Sequence, residues 1–177
     1  ERTVGPDLGE DSIRSGSISL LVGFVLVILF MFYKYRVFGL IANISLITNL
    51  LMLIGVLTIL EATLTLPGIA GIILTVGMAV DANVLIFERI KEELKTEKSI
   101  IHAFEIGYNK AKITVLDANI TTLLAAIILF AFGSGPIKGF AITLGIGIIT
   151  TLYSAYFIAR HLTSFFVLRN KEGNINL

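Results

Sequence analysis

Long apolar stretches without charge dominate this chain and restrict it to folds that can form inside a lipid bilayer. A helix needs about 20 apolar residues to cross roughly 30 Å of hydrocarbon, and the sequence contains five such stretches. Because a segment in lipid must satisfy its own backbone hydrogen bonds, each stretch is predicted to be a helix. We therefore expect an all-α polytopic membrane protein, a five-helix transmembrane bundle with spans at 15–33, 37–60, 66–87, 113–132 and 139–159.

The composition excludes several classes of protein. Hydrophobic residues make up 55% of the chain and charged residues 15%, whereas about a quarter of a typical soluble domain is charged. A disordered chain, a nucleic-acid module and a cytosolic enzyme are therefore excluded, and a net charge of +1 provides no field to attract nucleic acid. The chain has no Cys and two His far apart, so no metal site is predicted.

The segments outside the five spans are polar. Residues 1–14 are expected to end an extracytoplasmic segment, and residues 170–177 to form a cytoplasmic tail. The link 88–112 is long enough to hold a short amphipathic helix on the inner membrane face, although a partner-binding helix fits the same pattern. Its apolar residues recur at helical spacing, namely Ile100, Ile101, Phe104 and Tyr108.

The basic residues predict the orientation of the chain, because Lys and Arg accumulate on the cytoplasmic side. Three basic residues fall on one side of the predicted bundle, and eleven of the fourteen fall on the opposite side. With five spans, the N-terminus is then outside and the C-terminus inside. We expect an upstream helix and an outer domain to precede this chain, the alternative being a protein that inserts unaided with its N-terminus outside. The eleven are Lys34, Arg36, Arg89, Lys91, Lys95, Lys98, Lys110, Lys112, Arg160, Arg169 and Lys171.

Two carboxyl groups lie within the predicted spans, and Asp81 is the deeper of them. A carboxylate in the bilayer costs about 2.5–3.5 kcal/mol on insertion scales, so such a residue is a functional candidate by default. Burial disfavours its charged form, which suits a group that gains and loses a proton. Asn83 can hydrogen-bond nearby, and Glu88 lies seven positions along the same helical face. These residues predict a proton relay, although a neutral Asp81 that joins two helices is the structural alternative.

Asp117 is the second intramembrane carboxyl and lies near the start of the fourth span. It is a relay candidate, but an ion pair with Lys110 or Lys112, or the favourable field of a helix N-terminus, would equally explain it. The motif Asp-Ala-Asn occurs at both 81–83 and 117–119, so the two sites are able to face each other. Close helix packing is expected at the small residues Gly77, Gly139, Gly145 and Gly147.

Four segments in order resemble the SecD/SecF family of bacterial protein-export membrane proteins. The most distinctive is GMAVDANVLIFERIKEEL at 77–94, and RTVGPDLGEDSI at 2–13, LDANITTLLAA at 116–126 and GPIKGF at 135–140 accompany it. The resemblance covers nearly the whole chain. It implies helices two to six of a six-helix half-transporter of the RND superfamily, in the C-terminal transmembrane region of a SecD-type member.

The resemblance also implies a function in the bacterial inner membrane. Members of the family are understood to use the proton gradient, beside the SecY channel, to complete the secretion of preproteins. Asp81 matches the motif aspartate implicated in proton movement. The implied partners are a SecF-like subunit, SecY, exported preproteins and membrane lipid, without nucleic acid. Protons are the coupling ion, no other cofactor is implied, and the chain is a transport component, not an enzyme.

Three rival functions compete with this hypothesis. An intramembrane aspartyl protease would use Asp81 and Asp117 as a dyad that shares a proton, but residues 77–80 lack the Gly-x-Gly pattern that such enzymes show before one aspartate. The second rival is a small-molecule efflux subunit of the same superfamily, and the third is a passive scaffold for the translocon. The export motifs oppose efflux, and a scaffold predicts that Asp81→Asn has no effect.

Overall fold

The computed structural model describes residues 6–96 and 99–169, and within those ranges it contains helices and connecting turns but no strand. The all-α prediction is therefore confirmed for the part of the chain described. Predictions for residues 1–5, 97–98 and 170–177, including the C-terminal tail, fall outside it. The helices are α1 (Pro6–Ile59), α2 (Leu66–Glu93), α3 (Ile100–Phe132), α4 (Gly135–Tyr153) and α5 (Arg160–Arg169), with a π-helical segment at Ser154–Ala159.

Four helical stretches in the described ranges have the length and composition to cross a membrane, whereas the sequence predicted five separate spans. The difference arises in α1, which joins the first two predicted spans into one helical element. Its backbone is not helical at Arg36, where φ is 48° and ψ is −112°. The last stretch, Gly135–Arg169, combines α4, the π-helical segment and α5.

The chain turns back on itself at the Arg36 kink. The Asn43 side chain donates a hydrogen bond of 3.1 Å to the Ile28 carbonyl oxygen. Fifteen residues of straight helix would separate these positions by about 22 Å, so the two parts of α1 lie side by side. A side chain at Gly39 would collide with the Met31 carbonyl oxygen, which explains why glycine stands at this close approach.

The first turn of α2 is fixed by a cap and a proline. The Thr65 hydroxyl accepts a 3.1 Å hydrogen bond from the Gly68 amide, and Pro67 lies in the first turn, where its missing amide hydrogen carries no penalty. The Thr65 hydroxyl also donates to the Pro136 carbonyl oxygen at 3.2 Å. This second bond joins the beginning of α2 to the beginning of α4.

α3 is one continuous helix from Ile100 to Phe132. The predicted amphipathic segment is therefore the first part of α3, and the structure gives it no separate existence, since nothing interrupts the helix before the predicted span. Most of the buried side chains of α3 precede residue 116, so its second half is largely exposed in this chain. They are Ala103, Phe104, Tyr108, Ala111 and Val115, followed later by Asn119 and Ala126.

The π-helical segment is held by side chains from two neighbouring helices. The Ser45 hydroxyl on α1 donates to the Ser154 carbonyl oxygen at 3.1 Å, and the Tyr108 hydroxyl on α3 donates to the Ala155 carbonyl oxygen at 3.1 Å. These donors occupy carbonyl groups at the start of the widened turn. The segment therefore ties α1 and α3 to the end of α4.

Candidate functional site

A cleft between α2 and α3 contains the predicted carboxyl Asp81. The Asp81 side chain is exposed in this chain, although it lies in the middle of an apolar helix. The cleft has a volume of about 200 Å³, and we refer to it as the central cleft. Its lining residues are Met78, Asp81, Ala82, Leu85, Val115, Ala118, Asn119 and Thr122.

Asn119, rather than Asn83, supplies the amide that lines the central cleft. Asn83 is 2% exposed and donates to the Ala79 carbonyl oxygen at 3.0 Å, on a face of α2 that does not line the cleft. Asn119 is 7% exposed and donates to the Val115 carbonyl oxygen at 2.8 Å. Both amide oxygens are buried without a hydrogen-bond partner. The first copy of the Asp-Ala-Asn motif therefore contributes its aspartate, Asp81, to the central cleft, and the second copy contributes its asparagine, Asn119.

Asp117 is exposed but lines neither this cleft nor the second one described below. Consecutive residues of an α-helix are about 100° apart around the axis, and the neighbouring Ala118 and Asn119 are the residues that face Asp81. The geometry therefore does not place Asp81 and Asp117 together in one cleft. A protease-like pair of aspartates finds no support in this arrangement.

A second cleft between α2 and α3, of about 400 Å³, lies further along α2 among charged residues. We call it the charged cleft. The predicted relay residue Glu88 lines it, accepts a 2.8 Å hydrogen bond from the Tyr35 hydroxyl and lies 3.5 Å from the Lys34 ammonium. The lining residues are Leu85, Glu88, Arg89, Glu92, Lys110, Ala111 and Thr114.

Glu93 is a charged residue whose role sequence reasoning missed, since the segment after Glu88 has the composition of a solvated turn at the beginning of the long link. The structure makes it the last residue of α2, and 11% of its side chain is exposed. It accepts from Lys110 at 2.8 Å and from Arg89 at 3.1 Å. The i,i+4 spacing of Arg89 and Glu93 was the available signal, while the contact with Lys110 had none.

The four glycines predicted for close packing divide into two groups. A side chain at Gly139 would collide with Thr65, and one at Gly147 with Thr75, so both lie at close contacts between α4 and the α2 region. At Gly145 the nearest atom is the Leu123 Cδ1, at an ordinary 3.9 Å, and at Gly77 nothing lies within 4 Å. The close packing predicted at Gly77 is therefore not formed with any helix in the described ranges.

The described residues contain no group of three or more His, Asp or Glu side chains that could hold a metal ion. The two clefts contain a carboxyl in an apolar helix, an amide opposite it, and charged groups on α2 about two to three turns from the carboxyl. A carboxyl in such surroundings is able to bind and release a proton.

Comparison with known proteins assigns this architecture to a family. Residues 1–169 match the family described as protein export membrane protein SecD/SecF, C-terminal. Relatives named protein translocase subunit SecD include one from Desulfurispirillum indicum, 60% identical over 159 residues. Another, from Magnetococcus marinus, is 55% identical over 160 residues. Each comparison covers 90% of this chain, but only 31% and 30% of those relatives.

Solved structures give the same result. The chain is similar to the crystal structure of SecDF, a translocon-associated membrane protein from Thermus thermophilus, with a TM-score of 0.91 and 42% identity. It is also similar to SecDF in a super-membrane-facing form, with a TM-score of 0.88. Both comparisons cover 96% of this chain, and they cover 24% and 23% of the solved chains. The chain thus spans less than a third of the length of these proteins.

Proposed function

This chain belongs to the SecD/SecF family of protein-export membrane proteins, and from that premise we propose that it is a membrane-spanning part of an auxiliary Sec translocase subunit. The whole protein would use the proton gradient to drive late steps of protein export across the bacterial inner membrane. The names of its relatives support the export role, and their 55% and 60% identity to this chain is too high for a resemblance of fold alone.

The observation that carries the proton-driven part of this proposal is the position of Asp81. It is exposed on α2 at the central cleft, in a helix long and apolar enough to cross a membrane. A carboxylate that faced lipid there would cost about 2.5–3.5 kcal/mol. We propose that Asp81 takes up and releases a proton, with Asn119 opposite it and Glu88 toward the charged cleft. Asn83 and Asp117, which line neither cleft, would act at most through these residues.

Five membrane passes are part of the proposal. The hydrogen bond from Asn43 to the Ile28 carbonyl oxygen supports counting the two parts of α1 as separate passes. Basic residues of three helices also lie at one end of the bundle. Lys34 pairs with Glu88, Lys110 pairs with Glu93, and the Arg160 guanidinium lies 4.9 Å from the Tyr108 ring centroid. This end would be cytoplasmic, with the N-terminal end of the chain periplasmic and the C-terminal end cytoplasmic.

The proposed partners follow from the exposed face and from the family. A SecF-like subunit with a basic intramembrane residue would cover the side of α2 and α3 that bears Asp81, and lipid would cover the remaining apolar surface. The assembly would act beside the SecY channel on exported preproteins. No nucleic acid, metal or organic cofactor enters the proposal, because protons serve as the coupling ion. The membrane potential supplies about 2.3 kcal/mol per charge per 100 mV.

The test is Asp81→Asn in the full-length subunit, assembled with its partners in membrane vesicles. The substitution keeps the size of the side chain and removes its ability to ionise, so gradient-dependent completion of preprotein translocation is expected to be lost while assembly is unchanged. Asp117→Asn is the matched control, since it makes the same change at an exposed carboxyl outside both clefts, and most activity should remain.

Normal gradient-dependent export by the Asp81→Asn protein would contradict the proton-carrier role and favour a passive scaffold. Accumulation of a small toxic molecule, measured in cells that lack the subunit, tests the efflux alternative. Unchanged accumulation is expected, because the relatives are named as protein translocase subunits.

A further inference from the structure

Leu85 stands between the two clefts of the α2–α3 face. It belongs to the lining of the central cleft, with Asp81, and to that of the charged cleft, with Glu88 and Arg89. It lies four residues after Asp81 and three before Glu88, so one helical turn separates it from each carboxyl group. Its side chain is 40% exposed and points to this shared surface rather than into the core.

The boundary between the clefts falls at the same level on α3. Thr114 lines the charged cleft and the next residue, Val115, lines the central cleft. The polar lining residues of α3 lie on either side of the Leu85 level, with Asn119 and Thr122 in the central cleft and Lys110 and Thr114 in the charged cleft. Leu85, the residue that lines both clefts, presents hydrocarbon between them, opposite the step from Thr114 to Val115 on α3.

This interruption matters because a proton moves through a protein along water molecules and side chains that can donate and accept hydrogen bonds. A leucine side chain can do neither, and a short apolar constriction excludes water. An open polar connection from Asp81 to the charged end would let protons cross without doing work. A removable apolar barrier would allow exchange only when the helices move.

We propose that the Leu85 side chain is an apolar separator that controls the passage of water, and hence of protons, between the central cleft and the charged cleft. The inference rests on the proposed role of Asp81 as the proton carrier. Leu85 would not bind a proton itself. Its side chain would act only by separating the water of the two clefts.

The test measures access to the central cleft from the charged end. Ala118 lines the central cleft and is exposed, so Ala118→Cys provides a reporter in a full-length subunit that carries no other cysteine. The assembled complex is placed in inverted membrane vesicles, where a membrane-impermeant maleimide reaches only the cytoplasmic side. The rate of labelling then reports how readily the separator is passed.

Leu85→Ser is expected to raise the labelling rate several-fold, and Leu85→Phe, which enlarges the barrier, to lower it. Leu129→Ser is the matched control, because Leu129 is similarly exposed at 37% but lines neither cleft, and it should leave the rate unchanged. Recovery of the assembled complex is measured for every variant. Leu85→Phe keeps the test decisive if the serine variant does not assemble.

Fast labelling that no Leu85 variant changes would overturn the proposal, and so would an equal rise for Leu85→Ser and Leu129→Ser. Export by the Asp81→Asn protein separates this failure from failure of the proposed function. If the labelling rate does not depend on residue 85 while Asp81→Asn abolishes gradient-dependent export, Leu85 is not a barrier and the proposed role of Asp81 as proton carrier is retained. If labelling follows Leu85 but Asp81→Asn exports normally, Leu85 limits access to a cleft that does not carry the coupling proton.

Discussion

The side of α2 that meets α4 and the side that meets α3 differ in whether the contact between the helices leaves clefts. Toward α4, glycine on one helix faces threonine on its neighbour, and we call this contact the glycine–threonine interface. Toward α3, the helices leave the two clefts that hold Asp81 and the charged residues. The interface consists of Gly68, Gly71 and Thr75 on α2, and Gly139, Thr143 and Gly147 on α4, together with the capping Thr65.

The difference shows how one helix can serve as both scaffold and site. Small residues let two backbones approach where lipid offers no hydrophobic drive for association, so the α4 side fixes the position of α2. The α3 side approaches closely where Gly107 meets Ile90, but its clefts hold the polar groups. We therefore expect substitutions on the first side to alter stability, and those on the second to alter transport.

Gly147→Ala should produce the largest loss of stability. The new methyl group would collide with Thr75, which is fully buried and whose hydroxyl donates to the Ile72 carbonyl oxygen at 2.8 Å. Overpacking of this kind typically costs about 1–3 kcal/mol. The free energy of unfolding of the full-length subunit in detergent measures it. Gly145→Ala, which meets only the Leu123 Cδ1 at 3.9 Å, should cost little, and equal losses would refute the distinction between these glycines.

Much of the fold was predictable because hydropathy and length determine which segments enter a membrane. The predicted break between the first two spans falls at residues 34–36, and the structure kinks at Arg36. Helix ends in the charged regions were less predictable, since the link before the fourth span folds as the beginning of α3. Local sequence contains no stop signal there that separates an interfacial helix from a span.

The site was predictable only in part, because periodicity identifies the face of a helix but not the neighbour of that face. Asp81 and Glu88 could be chosen from spacing, and both line clefts. The amide partner could not be chosen, since Asn83 and Asn119 occupy equivalent places in the repeated motif and only the packing of α2 on α3 distinguishes them. Close-packed and unpacked glycines were equally indistinguishable without a structure.

Asn119→Leu and Asn83→Leu sharpen the comparison by making the same substitution inside the central cleft, on α3, and outside it, on α2. Each removes a buried amide whose oxygen has no partner in the structure. The Ala79 and Val115 carbonyl oxygens, which lose the amide donor, still accept a helical N–H, so the exchange is expected to be nearly neutral for stability. Asn119→Leu should lower gradient-dependent export several-fold without lowering stability, because it removes a polar group from the central cleft. Asn83→Leu should leave export closer to normal. Vesicle translocation assays measure both, and a larger export defect for Asn83→Leu would move the relay out of the cleft.

Glu93→Gln is expected to have the smallest effect. It tests whether the contact of Glu93 with Lys110 holds α2 and α3 together at the charged end of the bundle. Gln keeps the size of the side chain but weakens the contacts with Lys110 and Arg89, both 3.1 Å or shorter.

Because 11% of the Glu93 side chain is exposed and 61% of that of Glu92, salt should screen the Glu93 pairs less. The melting temperature of the assembled subunit should therefore be slightly lower for Glu93→Gln than for the unchanged protein, and this difference should remain at high salt. Glu92→Gln, which loses only its exposed pair with Arg89, should show no such fall. If the two variants shift the melting temperature equally, Glu93 does not join α2 to α3. The width of the charged cleft would then be set by the contact of Gly107 with Ile90, where a side chain in place of the glycine would collide with the Ile90 backbone.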